Sequence, residues 1–123
     1  MVVFCLKLPY DGVIMKPRTP ERLDRRSQAL KRLVAARLRA RPELLTIGRD
    51  NIERWRDSEG KWGRHTPYME TWLAAIEQGV EACCILLEDV SQETQPLRQA
   101  APFAGVIPER ERREFLAQWE VNS

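Results

Sequence analysis

Two threonine–proline pairs, Thr19-Pro20 and Thr66-Pro67, constrain the fold of this chain more than any other feature. A threonine hydroxyl can accept a free backbone N–H of a helix's first turn. The proline behind it loses nothing at a position whose N–H has no helical partner. Glu21 adds an acid to the first turn after Pro20. Apolar residues then recur at helical spacing behind both pairs: Leu23, Leu30, Leu33, Val34 and Leu38 after the first, Met69, Trp72, Leu73 and Ile76 after the second. Pro42 ends the first helix and opens another, in which Leu44, Leu45, Ile52 and Trp55 keep the period and Gly48 is a weak point. Asp57 to Gly63, "DSEGKWG", reads as a polar turn, and Gly79 is a natural helix stop.

The segment "VEACCILLED" fits a buried strand or a buried helix by periodicity, but its neighbours are helical and no partner strand is visible, so it is expected to be helix. Ser91 is expected to cap a short helix running to about Ala100. Pro102 breaks that helix, and Pro108 begins the last one, with Phe115, Leu116 and Trp119 turned inward and Glu109, Glu111, Arg112 and Glu114 mostly solvated. A length of 123 residues fits one domain, and 43% hydrophobic residues suffice for a small core. The expected fold is all-α: a compact bundle of five or six short helices over residues 15–123. Its core is drawn from Leu30, Leu33, Val34, Leu38, Leu45, Ile52, Trp55, Trp72, Leu73, Ile76, Leu86, Phe115 and Trp119.

Residues 1–14, "MVVFCLKLPYDGVI", form a short N-terminal arm that lacks the basic start and small-residue cleavage site of a signal peptide. Two readings stand side by side. Translation naturally begins at Met15, whose following "KPRTPERLDRR" resembles an ordinary N-terminus, or the arm packs on the body or on another subunit. Pro9, Gly12 and the weak helix signal favour an arm that folding does not need. Removing residues 1–14 is therefore expected to leave the thermal unfolding midpoint unchanged, and a large drop would show that the arm is structural.

Cys5, Cys83 and Cys84 show no metal-ligand spacing, and an odd count with two neighbours suits reduced thiols in a cytoplasm. No run of about 18 apolar residues is present, so no membrane-spanning helix is expected. The net charge of +2 conceals a split: from His65 to the end, four arginines stand against ten carboxylates, and the N-terminal half is correspondingly basic. Such asymmetry implies either an acidic partner for the basic half or contact between the halves.

Before the last helix runs "AAPFAGVIPERERREFLAQW". Phe103, Val106 and Ile107 in this loop suit a plug that closes the open end of the bundle, with Gly105 allowing the tight turn. Phe103 partly uncovered would also serve as an anchor for a partner. The stretch "PLRQAAPFAGVIPERERREFL", together with the opening "ERLDRRSQALKRLVAARLRARPELL", resembles a family of small, uncharacterised bacterial helical proteins. That family carries a Pro-Phe-Ala-Gly-Val turn near the C-terminus and is encoded beside toxin-like genes. The similarity spans Met15 to about Glu120. Ala100-Ala101 and Ile107 depart from the serine or threonine of the family pattern. The resemblance implies an antitoxin-like role and supplies no catalytic residues.

The side chains themselves point away from catalysis. His65 is the one histidine, and Cys83 and Cys84 lie in the most apolar segment, where a thiol is a poor nucleophile. No metal-ligand set, no phosphate-binding glycine motif and no cofactor site is expected. Nucleic-acid binding is the serious alternative: the Arg22–Arg41 helix would line phosphates, and the next helix would offer Arg49, Asn51, Arg54 and Arg56 to a groove. Against it, the linking "RARPELL" lacks a glycine-containing turn, and i,i+4 pairs such as Glu21–Arg25 would make the same helix a solvated one. A protein partner fits best. Arg25, Arg32 and Arg39 lie seven residues apart on one stripe and would face a toxin's acidic active site, with Trp62 and Phe103 as anchors.

Overall fold

A computed structural model describes residues 19–59 and 66–122. The arm over residues 1–14, Met15, Trp62 and His65 lie outside the described residues. Six α-helices follow one another: α1 Pro20–Ala40, α2 Leu45–Glu59, α3 Thr66–Gln78, α4 Val80–Glu88, α5 Gln95–Gln99 and α6 Glu109–Asn122. Among the described residues there is no strand, and the fold is an all-α bundle. No helix in them is long and apolar enough to cross a membrane.

The local signals act as their chemistry dictates. The Thr19 hydroxyl accepts the Arg22 N–H at 3.1 Å and caps α1. Pro42 stops α1 and starts a single 3-10 turn, Pro42–Leu44, which leads into α2. Gly79, at φ 118°, ends α3 by donating its N–H to Ala75 and Ile76 carbonyls at 3.0 and 3.2 Å, and α4 begins at the next residue. "VEACCILLE" is helix α4.

Several expectations need correcting. α2 runs on through Asp57 and Ser58, so the start of the stretch expected as a polar turn is helix, and its remainder, residues 60–63, lies outside the described residues. The short helix α5 begins at Gln95 instead of just after Ser91, because the Asp89 carboxylate takes the Ser91 N–H at 2.8 Å and holds residues 89–94 in a turn. Gly48 is no weak point. It is buried, and a Cβ there would sit 2.6 Å from Cε1 of Phe103 and 3.3 Å from Cδ1 of Ile76. The glycine lets the Phe103 ring lie directly on the α2 backbone.

Val34, Leu38, Ile52, Trp72 and Ile76 are buried as expected, joined by Ala35, Met69, Ala75, Cys83, Cys84 and Leu87. Leu33, Leu45, Trp55, Leu73 and Leu86 pack on this core while half-exposed. α1 packs most extensively on α4, which also meets α3; α2 packs on α3, and α6 lies along α1. Trp72 is fully buried and donates its indole N–H to the Leu97 carbonyl at 3.0 Å, tying α3 to α5. α6 departs from expectation: none of its residues is buried, and Phe115, Leu116 and Trp119 are only half-covered. It meets α1 through these half-covered side chains and through ion pairs of Arg22, Arg26 and Arg37 with Glu120 and Glu111.

Candidate functional site

The basic helix is the feature on which any function must be built, so each of its cations must be placed. Arg22 reaches the Glu120 carboxylate at 3.2 Å and lies over the Trp119 ring, 4.7 Å from its centroid, with Arg26 also on Glu120 at 3.8 Å. Arg37 is ion-paired with Glu111, whose carboxyl it holds below the usual carboxylate range by hydrogen bonding. Arg39 grips two carboxylates of α4, Glu81 at 2.9 Å and Glu88 at 2.7 Å, and its hydrogen bonds lower the carboxyl pKa of both. The charge split between the halves is thus met inside the molecule: α1 is the cationic wall on which acidic α4 and α6 dock. The pair Glu21–Arg25 is not among these contacts; the i,i+4 bond on this stretch runs from Gln28 to Asp24 at 3.0 Å.

The expected stripe is therefore divided. Arg25, Arg32 and Arg39 are all exposed, but Arg39 is committed to Glu81 and Glu88. Among the described residues Arg25 and Arg32 form no ion pair. They are two helical turns apart, about 10 Å along the axis.

Phe103 belongs to the core, as the plug reading of this loop expects, and is too covered to serve as an exposed anchor. It is 5% exposed and packs edge-to-face on Trp72, ring centroids 5.5 Å apart. Val106 and Ile107 are buried with it, so the apolar loop is the plug of the bundle. What pins the loop was not legible as such. Asn51, which the nucleic-acid alternative would offer to a groove, is buried, and its amide donates to the Pro102 and Ala104 carbonyls at 2.9 Å each, while its carbonyl oxygen accepts from Arg54. The amide orientation follows from chemistry, since the two loop carbonyls can only accept. Asn51 and Arg54 are therefore occupied in holding the loop, which removes both from a base-reading set.

Arg98 was also missed. It is buried and donates to the Ser91 carbonyl at 3.1 Å and to the Thr94 hydroxyl at 2.6 Å. No periodic signal marks an arginine for burial; the Ser/Thr cluster seven and four residues before it is the one local hint.

Cys83 and Cys84 are free and fully buried, and Cys84 donates its S–H to the Ala35 carbonyl at 3.4 Å. Burial, with Cys84 beside it, pushes the Cys83 thiol up to about 11, and burial raises Cys84 as well. A thiol in that state carries little nucleophilic thiolate at neutral pH. Among the described residues no group of three or more His, Cys, Asp or Glu side chains is placed to hold a metal ion. No protein-family model, curated protein or solved structure matches this chain.

Proposed function

We propose that this chain is a non-enzymatic bacterial interaction protein of the cytoplasm, the neutralising half of a toxin–antitoxin pair. Its target is a nucleic-acid-processing toxin encoded beside it, met through the exposed face of α1. One observation carries the reading: Arg25 and Arg32 are presented to solvent without an ion pair among the described residues, whereas Arg22, Arg26, Arg37 and Arg39 of the same helix are ion-paired within the molecule and Lys31 is half-buried. A guanidinium is planar, permanently charged and able to bind a carboxylate through two parallel hydrogen bonds. Two of them on a rigid helix match a cluster of acidic side chains of the kind that holds metal in a nuclease or nucleotidyltransferase. Occupying that cluster would exclude metal and nucleic acid together.

The test is co-expression of the Arg25→Glu/Arg32→Glu variant with the neighbouring gene product, scored by growth and co-purification. Both side chains are exposed, so the melting temperature is expected to hold. Like-charge contacts cost several kcal/mol in an interface, which should weaken the complex by about 100-fold or more and abolish rescue. A neighbour that is harmless by itself would overturn the antitoxin reading. A toxic neighbour still neutralised by the variant would overturn the arginine contact instead. The isolated protein is expected to bind duplex DNA only weakly, with affinity collapsing between about 50 and 200 mM salt as phosphate contacts are screened. Tight, sequence-selective binding at physiological salt would overturn the protein-partner reading in favour of a nucleic-acid-binding one.

A further inference from the structure

On the side of α1 that faces the plug loop, Leu30, Lys31 and Val34, the loop at Ala101 and Ile107, and Arg112 of α6 surround a cleft of about 240 Å³. Its apolar lining comes from Leu30, Val34, Ala101 and Ile107, and its charged side chains, Lys31 and Arg112, are both cations. Lys31 is half-buried and forms no ion pair among the described residues. Burial, and then the charges of Arg98 and Arg112, hold its ammonium below the ordinary lysine value. The neighbouring cations do not bring carboxylates into the cleft. Arg98 donates to neutral oxygens, the Ser91 carbonyl and the Thr94 hydroxyl, and the Asp89 carboxylate that also feels its charge belongs to the turn at Ser91 and does not line the cleft. Arg112 pairs at 3.3 Å with Glu109, an exposed residue one turn earlier on α6 that also meets Arg113 at 3.7 Å. The long-range ion pairs of α1 match a cation with an acid; at Lys31 the fold brings like charges together around an open, partly apolar space. Such an arrangement costs free energy in the empty protein, and an anion relieves it.

We propose that this cleft is a binding site for a small organic anion. The carboxylate or phosphate head sits between Lys31 and Arg112, and a short apolar body lies against Leu30, Val34 and Ile107. The volume is below the roughly 300–1,000 Å³ usual for drug-sized ligands, so the ligand is compact. The two-part lining sets the class: inorganic phosphate satisfies only the cations, and a neutral ring only the floor. Neither Arg25 nor Arg32 lines the cleft, and the proposal does not depend on the toxin partner.

The experiment uses the full chain, titrated by NMR with benzoate, phenyl phosphate, inorganic phosphate and neutral benzamide, with melting temperature followed in parallel. Benzoate or phenyl phosphate is expected to saturate, at least about 10-fold more tightly than either inorganic phosphate or benzamide, and to raise the melting temperature. The relative strength of the two organic anions identifies the preferred head group. Lys31→Met removes the repelled charge. It is expected to raise the melting temperature of the empty protein while weakening the organic anion by about 10-fold or more. No saturation by either organic anion below about 10 mM would overturn the proposal. So would unchanged binding by Lys31→Met, or inorganic phosphate binding as tightly as phenyl phosphate, which would mark a surface attraction for any anion.

Discussion

Replacing Phe103 with alanine is expected to cost about 3–5 kcal/mol, the usual toll for emptying an aromatic site in a core. The ring is 5% exposed, stands edge-on to Trp72 with centroids 5.5 Å apart, and lies against the bare backbone of Gly48. The edge-to-face contact accounts for about 0.5–1.5 kcal/mol of that beyond area burial. A small domain has about 5–15 kcal/mol of stability in all, so the variant should unfold at a much lower urea concentration with a similar denaturant slope. Gly48→Ala provides the matching measurement. In the parent it forces the ring aside, because its Cβ would meet Cε1 at 2.6 Å. In the Phe103→Ala background the same substitution should be neutral or stabilising, since the clash is gone and alanine is the better helix former by about 1 kcal/mol. A loss below about 1 kcal/mol for Phe103→Ala would mean that the ring is not seated in the core, and would restore Phe103 as an exposed anchor.

Asn51→Ala is expected to cost about 1–3 kcal/mol, although it removes only a short polar side chain. The buried Pro102 carbonyl and the more exposed Ala104 carbonyl lose their shared donor at 2.9 Å, and the penalty falls on the buried one, which water cannot reach. Asn51→Asp separates the two roles of this residue. If the amide matters as a donor to the loop, aspartate is no better than alanine, because an ionised carboxylate cannot donate and is repelled by both carbonyls. If it matters as the acceptor for Arg54, aspartate restores stability. The first outcome is expected. It should be accompanied by faster hydrogen exchange at the Val106 amide, which is bonded to the Phe103 carbonyl at 3.0 Å inside the same loop. Stability near that of the parent in Asn51→Ala would show that the loop is held by its apolar side chains alone.

The sequence by itself determined where α1 begins and where α3 ends, because those signals act within a few residues. The Thr19 hydroxyl needs only the N–H of Arg22, and Gly79 needs only the carbonyls of the turn before it. The 3.6-residue period likewise identified Val34, Leu38, Ile52, Trp72 and Ile76 as inward-facing before any neighbour was known. The fate of the polar residues was decided only in the tertiary structure. Arg37 and Glu111 are 74 residues apart, Arg22 and Glu120 are 98 apart, and nothing near either member marks its partner. Arg39 shares its spacing with Arg25 and Arg32, yet it differs from them because α4 happens to present Glu81 and Glu88 beneath it. Asn51 looked like a surface residue of a basic helix until the loop 51 residues onward arrived with two carbonyls needing a donor. A charged or amide side chain has no preferred face of its own; burial, pairing or exposure follows from which group another element brings within about 3 Å, and that is a property of packing instead of local sequence.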